Sequence, residues 1–160
     1  MPRGVPHPAE ARLDMPMIAV TILLPDPARR LWPLVRWDGR LCDWYPGAIA
    51  LSVDGTEKGA VRRLLLKDGT RLVQRLEHIS RIDDAYTYAV VESPYPVADL
   101  LAQIRVQPGN DGHATLTWTA TFQPLGLPGG LDEARTERFV RDLYDAGVER
   151  LRGLLTPYRL

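Results

Sequence analysis

The sequence has little of what disulfides, metal sites and nucleic-acid surfaces are built from. Cys42 is its one cysteine, so no disulfide can form within the chain, which is compatible with a reducing cytoplasm. The three histidines, at positions 7, 78 and 113, are scattered, and we expect neither a metal nor a cofactor. Lys+Arg and Asp+Glu both number 20, so the charge balance indicates no nucleic-acid partner.

Long apolar runs and catalytic motifs are missing as well. No run approaches the ~20 apolar residues that cross a bilayer, so we expect no membrane insertion and a cytoplasmic location. Residues 1–16 hold four prolines and no apolar segment, which predicts a flexible leader before a single domain over residues 17–157. G-x-S-x-G, H-E-x-x-H, G-x-G-x-x-G and P-loop motifs are absent. The sequence leaves the oligomeric state open.

What the sequence does have is a strict alternation between residues 71 and 123. In its first part, Leu72, Gln74, Leu76 and His78 share one face. Two later segments place the following residues on an apolar face: Leu100, Ala102, Ile104, Val106, Leu116, Trp118, Ala120 and Phe122. Side chains on a strand point alternately to two faces, so each segment predicts a strand with one buried and one solvated face.

Turn residues divide the chain into seven predicted strands, at 17–24, 48–53, 60–66, 72–80, 86–92, 100–107 and 114–124. Between the first two, Asp26 and Pro27 predict a helix with Asp26 as N-cap and Pro27 as its first residue. This helix is expected to reach about Trp37, with another short turn over 40–44. The pattern predicts an α+β fold with a curved antiparallel sheet.

One long helix is predicted at the C-terminal end, from a cap at Asp132 to about Leu155. Its apolar stripe consists of Val140, Leu143, Tyr144, Gly147, Leu151, Leu154 and Leu155. A glycine inside a helix costs about 1 kcal/mol relative to alanine. Either the helix passes very close to the sheet at Gly147, or space is left there for a ligand.

Several short motifs resemble the polyketide cyclase/dehydrase-like family of the START/Bet v 1-like (SRPBCC) superfamily. Trp32 with Trp44-Tyr45-Pro46-Gly47 resembles the W…W-x-P-G opening of its bacterial members. Segments 59–62, 74–77 and 88–91 resemble the same family and the plant abscisic-acid receptors. The resemblance covers about residues 17–155. It implies a helix-grip fold, in which seven strands wrap around the C-terminal helix and two short helices separate strands one and two.

In the abscisic-acid receptors two loops, the gate and the latch, close over the ligand. The matching segments here are residues 67–70 and 95–97, and neither carries the receptors' motif. Residues 49–51 match the position of the receptors' ligand-binding lysine and contain no lysine. The resemblance therefore does not imply hormone reception. It does imply a pocket whose mouth is formed by residues 67–70 and 93–97.

The candidate ligand-binding residues are those that converge beneath the helix: Gln74, Leu76, His78, Tyr88, Tyr95, Leu100, Ala102, Trp118, Ala120, Phe139, Leu143 and Gly147. Gln74 and His78 either form hydrogen bonds with side chains of neighbouring strands or with ordered water, or they orient a ligand in a mostly apolar pocket. The resemblance places Tyr88 inward, where its ring either packs under the helix or gives a ligand one hydrogen bond. No residue is singled out as catalytic.

Three functions are compatible with this pattern. The first is binding of a small hydrophobic molecule, such as a lipid, an isoprenoid or an aromatic polyketide. The second is a polyketide cyclase/dehydrase-type enzyme that uses the same pocket, because such chemistry needs little more than shape and one or two polar groups. The third is a module that binds a partner through the mouth loops. The sequence favours the first.

Overall fold

A computed structural model describes residues 17–24 and 27–155, so the leader predicted for residues 1–16 and residues 156–157 at the predicted domain end lie outside the described residues. The elements follow in the order β1 (Met17–Leu24), α1 (Ala28–Val35), α2 (Leu41–Trp44), β2 (Ala48–Asp54), β3 (Val61–Leu66), β4 (Arg71–Ser80), β5 (Ala85–Glu92), β6 (Val97–Pro108), β7 (Ala114–Pro124) and α3 (Glu133–Leu155). A short 3₁₀ turn, Asn110–Gly112, joins β6 to β7.

The seven strands form one antiparallel sheet in the order β1-β7-β6-β5-β4-β3-β2. The predicted α+β class and the helix-grip arrangement are confirmed: a curved sheet, two short helices after β1 and one long helix at the end. Within the described ranges, no helix is long and apolar enough to cross a membrane. The core lies between the concave face of the sheet and α3, with α1 and α2 closing it from the side.

The register of β7 is the one that the alternation predicts. Leu116, Trp118, Ala120 and Phe122 are all at most 2% exposed, whereas the threonines between them are only half-buried. A slip of one residue would exchange the two rows, so the burial of the apolar row fixes the pairing of β7 with β1 and β6.

The alternation fails in β4 after Leu76. The pairing shifts there, so that Leu76 lies opposite Tyr88 and His78 lies opposite Thr87. Such a bulge puts two residues of one strand against one of its neighbour and reverses the faces beyond it. His78 is therefore exposed, and Ile79 packs against the core instead. The prediction that His78 shares the inner face with Leu72 and Leu76 is wrong.

The first helix is shorter than predicted. Pro27 stands at the N-cap position and Ala28 is the first helical residue, while Asp26 lies outside the described residues. The helix ends at Val35, not at Trp37, and the chain then turns sharply. Gly39 allows this turn, because a Cβ atom there would lie 2.7 Å from the carbonyl oxygen of Leu34.

The long helix begins where its cap predicts. Asp132 accepts a hydrogen bond from the Arg135 amide on its side chain at 2.8 Å and one from the Thr136 hydroxyl on its carbonyl oxygen at 2.7 Å. The buried stripe of α3 consists of Thr136, Val140, Tyr144, Gly147, Val148, Leu151 and Leu155. Leu143 and Leu154 lie at the edge of this stripe on a 3.6-residue period. Leu143 is half-buried, and Leu154, predicted to be part of the stripe, is 46% exposed.

Candidate functional site

Aromatic rings occupy the space between the sheet and α3. At the centre lies what we call the Trp118 stack, formed by Trp44, Trp118 and Tyr144. The rings of Trp118 and Tyr144 are nearly parallel, with centroids 3.6 Å apart, and the Trp44 ring meets Trp118 edge-on at 5.6 Å. All three side chains are buried. The stack thus joins α2, β7 and α3 into one packed layer.

Gly147 lies where α3 crosses this stack. A Cβ atom at this position would lie 3.2 Å from Cζ3 of Trp118 and 3.4 Å from Cζ3 of Trp44. The sequence leaves two explanations for Gly147 open, and the structure agrees with the first: the helix packs closely on the indole rings. Any side chain at position 147 would push against the stack, so the glycine sets how near α3 comes to the sheet.

A second group of side chains, the Arg62 cluster, consists of Arg62, Trp37, Gln74 and Tyr86. Nε of Arg62 donates a hydrogen bond of 2.6 Å to Oε1 of Gln74. One terminal nitrogen of the same guanidinium donates to the carbonyl oxygen of Trp37 at 2.9 Å and to the Tyr86 hydroxyl at 3.1 Å. The Tyr86 hydroxyl in turn donates to the carbonyl oxygen of Val35 at 2.6 Å. Arg62 therefore fastens β3 to β4, β5 and the end of α1.

Arg62 is 1% exposed, and every one of these partners is uncharged. Within the described ranges, no carboxylate forms an ion pair with it. Its guanidinium carbon lies 4.4 Å from the ring centroid of Trp37, a cation–π arrangement that offsets part of the cost of burial. A buried cation without a counter-charge is expensive for a fold to keep, which marks this group as a candidate for recognising a ligand.

Tyr88 connects the two groups. The guanidinium carbon of Arg62 lies 5.0 Å from its ring centroid, and its hydroxyl accepts a hydrogen bond of 3.1 Å from Nε1 of Trp118. Close by, the buried Tyr144 hydroxyl makes no well-formed hydrogen bond, although the Tyr88 hydroxyl is near enough to raise its pKa. Burial raises the pKa of Tyr88 and of Tyr144 above the ordinary value of a phenol. Both therefore keep their protons at neutral pH and are available as neutral hydrogen-bond donors.

The two segments predicted to form a mouth lie beside each other. They line the two sides of a cleft of about 410 Å³, with residues 69–71 on one side and 92–94 on the other. Next to it, the Tyr95 hydroxyl shares a hydrogen bond of 3.1 Å with that of Tyr45, and the Tyr95 ring lies 5.5 Å from Phe139 of α3. One hydrogen bond and one ring contact thus connect the mouth to the interior.

The turn at residues 67–70 is held by its own side chains. Asp68 accepts hydrogen bonds on Oδ1 from the hydroxyl and from the amide of Thr70, and these bonds lower the pKa of Asp68. This turn is exposed, so its carboxylate is solvated and the contacts shape the loop more than they stabilise the protein.

The structure brings eleven of the twelve candidate residues together around one interior. Eight of them are buried: Gln74, Leu76, Tyr88, Leu100, Ala102, Trp118, Ala120 and Gly147. Tyr95, Phe139 and Leu143 are half-buried and pack against the core, whereas His78 is exposed on the other side of the sheet's bulge. No residue of α3 lines any of five prominent surface clefts of the described residues, and aromatic side chains pack in the space beneath the helix.

Sequence reasoning missed Arg62, Tyr144 and Trp44 as site residues. Arg62 alternates in phase with Leu64 and Leu66, and both leucines are buried. The same alternation that located the other strands therefore carries the signal for an inward arginine. Nothing in the sequence indicates which rings stack, because that depends on how α2 and α3 meet. The described residues also contain no group of His, Cys, Asp and Glu that could hold a metal ion.

The sheet, the long helix and the buried polar groups between them define a protein with the helix-grip fold. This fold can hold a ligand between the sheet and the helix. The chain belongs to the family described as polyketide cyclase / dehydrase and lipid transport, whose sequence profile matches residues 15–156. No curated protein sequence matches the chain significantly.

Solved structures with the same fold come from several bacteria. An uncharacterised protein from Bacillus thuringiensis is 26% identical, with a TM-score of 0.75 over 88% of this chain and 98% of that one. XoxI from Bacillus cereus is 25% identical, with a TM-score of 0.75 over 88% of this chain and 96% of that one. The Zhui aromatase/cyclase from a Streptomyces species is 16% identical, with a TM-score of 0.71 over 88% and 93%, and this likeness shows the fold alone.

Proposed function

We propose that the protein binds a small hydrophobic molecule between the sheet and α3, and that this molecule carries a hydrogen-bond acceptor that meets Arg62. A lipid, an isoprenoid or an aromatic polyketide with a carbonyl group fits this description. The observation that carries the proposal is the burial of Arg62, which is 1% exposed and hydrogen-bonded to uncharged groups only.

The cost of burying Arg62 is the first step of the argument. Moving a charge out of water costs several kcal/mol unless a counter-charge or many hydrogen bonds replace its hydration. Gln74, Trp37 and Tyr86 replace part of it, and no carboxylate of the described residues pairs with it. An aliphatic side chain would pack there at lower cost. A polar group that is placed alone in an apolar interior is what orients a ligand in most small-molecule pockets.

The buried hydroxyl of Tyr144 is the second step. It makes no well-formed hydrogen bond, although Tyr88 and Trp118 lie close to it, so a polar atom of a ligand replaces a poor contact with a better one. Tyr144 belongs to α3, whereas Arg62 belongs to β3, so the two groups lie on opposite walls of the interior. A ligand between these walls gains one polar contact from each.

Access is the third step. The Trp118 stack occupies the interior, so a ligand enters only when α3 and the mouth loops move and Tyr144 leaves Trp118. The Tyr45–Tyr95 hydrogen bond and the Tyr95–Phe139 contact hold the mouth closed. Surface loops at the entrance of a binding site belong to the least stable parts of a fold. We therefore expect Tyr95 to swing outward on binding.

The family name supports this proposal in general terms. Polyketide cyclisation, dehydration and lipid transport all require a protein that encloses a small, mostly apolar molecule. The aromatase/cyclases among the structural neighbours have the same fold with 16–18% identity, so their chemistry is not transferred to this chain.

A cyclase/dehydrase-type activity is the second candidate, and Arg62 is again the observation that favours it. Such a cyclisation passes through an enolate, and a buried cation next to a neutral tyrosine hydroxyl stabilises an enolate oxygen. The reaction also needs a base. The buried charged or polar residues of the described part are Arg62, Gln74 and Thr136, and none of these is a base at neutral pH. Binding is therefore the better supported function.

Native mass spectrometry of the protein purified from its own host tests the proposal directly. We expect a small apolar compound to remain bound to the wild type. When this compound is titrated into ligand-free protein, Arg62→Met should weaken its binding by about 10–100-fold, because a hydrogen bond to a charged group is lost. Arg75→Met is the matched control, since Arg75 lies on the neighbouring strand and is exposed.

The proposal fails if no compound co-purifies and the neutral apolar dye N-phenyl-1-naphthylamine does not bind. It also fails if Arg62→Met and Arg75→Met bind the identified compound equally. The same samples distinguish the two candidate functions. If the compound loses water or closes a ring on incubation with wild-type protein, the enzyme is favoured; if its mass and spectrum stay constant, the binding protein is.

A further inference from the structure

A second cleft lies at the end of the sheet opposite the mouth. Strand β4 begins next to the mouth turn at 67–70 and ends at Ser80, and this cleft of about 310 Å³ is formed around that far end. Its walls come from four places: α1, the α1–α2 connection, the β2–β3 hairpin and the end of β4. We call it the closed-end cleft. Its lining includes Trp32, Trp37 and Ile79 as apolar groups, and Arg36, Arg81 and Asp38 as charged groups.

We propose that the closed-end cleft is a separate binding site for a small flat aromatic carboxylate. In this arrangement the ring system of the ligand lies against Trp32 and Ile79, and its carboxylate lies between the guanidinium groups of Arg36 and Arg81. The site is distinct from the one proposed above, because it uses neither the Trp118 stack nor the space beneath α3, but the two sites share Trp37, which belongs to the Arg62 cluster.

The charges in the cleft favour an anion. Two guanidinium groups and one carboxylate line it, while Glu57 lines the neighbouring cleft and balances the remaining charge, so the preference for an anion rests on the two arginines in the lining. Arg36 pairs with Asp38 at 3.2 Å, and Arg81 pairs with Glu57 at 3.0 Å. All four side chains are more than two-fifths exposed. Exposed pairs of this kind are weak, so both arginines can turn to a ligand carboxylate at little cost. Arginine is well suited to this, because its planar fork matches the two oxygens of a carboxylate.

The apolar floor of the cleft is rigid. Trp37 is 1% exposed, and its Nε1 donates a hydrogen bond of 3.0 Å to the carbonyl oxygen of Gly55 in the β2–β3 hairpin. The guanidinium of Arg62 covers its ring at 4.4 Å, and Tyr86 meets it edge-on at 5.9 Å. Because these side chains are already fixed, they lose little conformational entropy when a ligand binds against them. The cleft is open to solvent, so binding there requires no movement of α3.

The volume indicates the size of the ligand. A space of about 310 Å³ is at the lower limit for small-molecule pockets and holds one or two fused rings. A flat ring system matches the indole of Trp32 better than a flexible chain does, because an offset stack of two rings preserves the contact area. The charged rim and the small volume therefore select an aromatic acid over a lipid.

An NMR titration with 2-naphthoate tests the proposal, with the neutral 2-naphthamide as the matched probe. The four tryptophan indole N–H signals report the location of binding. We expect the signal of Trp32 to shift and those of Trp44 and Trp118 to remain in place; Trp37 contacts both sites and should shift with Trp32. We expect 2-naphthamide to bind at least about threefold more weakly, since it lacks the charge that the arginines recognise.

Two variants complete the test. Arg36→Gln and Arg81→Gln should each weaken 2-naphthoate binding by about 3–10-fold and leave 2-naphthamide binding unchanged. Arg75→Gln is the control, because Arg75 pairs with Glu77 at the same sequence spacing as Arg36 with Asp38 and is exposed to the same degree. Equal binding of the two probes, loss of affinity in Arg75→Gln, or no shift at any indole would overturn the proposal. A shift at Trp37, Trp44 or Trp118 that leaves Trp32 in place would overturn it as well and would support the interior site instead.

Discussion

The Arg62 cluster and the Trp118 stack share one interior but are held together by different forces. In the Arg62 cluster, Nε and one terminal nitrogen of the guanidinium have defined acceptors, so the geometry is fixed by hydrogen bonds. In the Trp118 stack, ring contacts hold the side chains together, and the Tyr144 hydroxyl makes no well-formed hydrogen bond. Hydrogen bonds are directional, whereas ring contacts constrain orientation less strictly. This difference agrees with the proposed function, in which the cluster recognises a ligand and the stack makes room for it.

The two regions are also attached to opposite ends of the molecule. The Arg62 cluster is attached to Gly55 and Val35, at the closed end, by the indole of Trp37 and the hydroxyl of Tyr86. The stack is connected to the mouth through Trp44 and Tyr45. At the mouth, Tyr95 lies between Tyr45 and Phe139. In the proposed function, the end that moves to admit a ligand is the mouth, where one tyrosine–tyrosine hydrogen bond and one ring contact hold Tyr95.

The largest effect that distinguishes the two regions is expected at alkaline pH. Burial raises the pKa of five tyrosines, Tyr45, Tyr86, Tyr88, Tyr95 and Tyr144, above the value of about 10 found in unfolded chains. Between the unfolded and the folded pKa the native state holds more protons, so stability falls as pH rises. The free energy of unfolding should be constant with respect to these groups below pH ~10 and then fall by up to ~1.4 kcal/mol per pH unit for each tyrosine.

Tyrosinate absorbance and far-UV circular dichroism, followed together through a pH titration, measure this effect. We expect the buried tyrosines to ionise as the protein unfolds, and not before. The positive charge of Arg62 favours the ionised form of Tyr86 and of Tyr88, whereas Tyr88 opposes ionisation of Tyr144. Tyr86→Phe should therefore shift the alkaline transition less than Tyr144→Phe. Ionisation of all six tyrosines near pH ~10 in folded protein would contradict the packing described here.

Trp118→Ala and Arg62→Met compare how much each of the two regions contributes to the free energy of unfolding. Removing the Trp118 ring leaves a cavity under α3 and should lower the free energy of unfolding by about 3–5 kcal/mol. Arg62→Met keeps most of the volume and removes a buried charge, so we expect a loss of only about 1–2 kcal/mol. Urea denaturation followed by circular dichroism gives both values. If Arg62→Met costs more than Trp118→Ala, Arg62 is retained for stability and the ligand proposal loses its main support.

The two glycines of α3 provide a test of how tightly the stack is packed. Gly147→Leu forces a side chain against Trp118 and Trp44 and should destabilise the protein by about 3 kcal/mol, the upper end for overpacking. Gly153 is the matched control, since an added Cβ there meets no atom within 4 Å. Gly153→Ala should stabilise the protein by about 0.5–1 kcal/mol through helix propensity alone. If Gly147→Leu is neutral in thermal unfolding, the stack yields easily and the interior is looser than its ring distances indicate.

Features of the fold that local sequence pattern determines can be predicted from the sequence, whereas features that tertiary contacts determine cannot. The strands follow from a period of two, and their register in β7 follows from the burial of Trp118 and its neighbours, so local pattern is sufficient for both. The burial of Gln74 with Leu72 and Leu76 follows in the same way. The bulge after Leu76 does not, because one extra residue on a strand leaves no mark in a hydrophobic pattern.

The site is less predictable than the fold for a physical reason. Arg62 is in phase with two buried leucines, but a charged residue is normally assigned to the solvent face. Its burial becomes reasonable only when Gln74, Tyr86 and the Trp37 carbonyl are found around it. These partners come from three separate parts of the chain. Likewise, the two explanations of Gly147 differ only in the distance to Trp118, which no sequence pattern contains.

The smallest pair of effects separates the inner face of β4 from its outer face. Gln74→Leu removes the acceptor of the Arg62 Nε hydrogen bond and leaves a buried donor of a cation unpaired, so we expect a loss of about 1–2 kcal/mol. His78→Ala changes an exposed residue beyond the bulge and should stay within about 0.5 kcal/mol of wild type. The same pair bears on function. If the protein turns over a polyketide-like substrate, Gln74→Leu should reduce the rate through misplacement of Arg62, and His78→Ala should not. Equal losses in thermal stability and in ligand affinity for both variants would mean that the bulge at Leu76 is absent in solution and that His78 faces the interior after all.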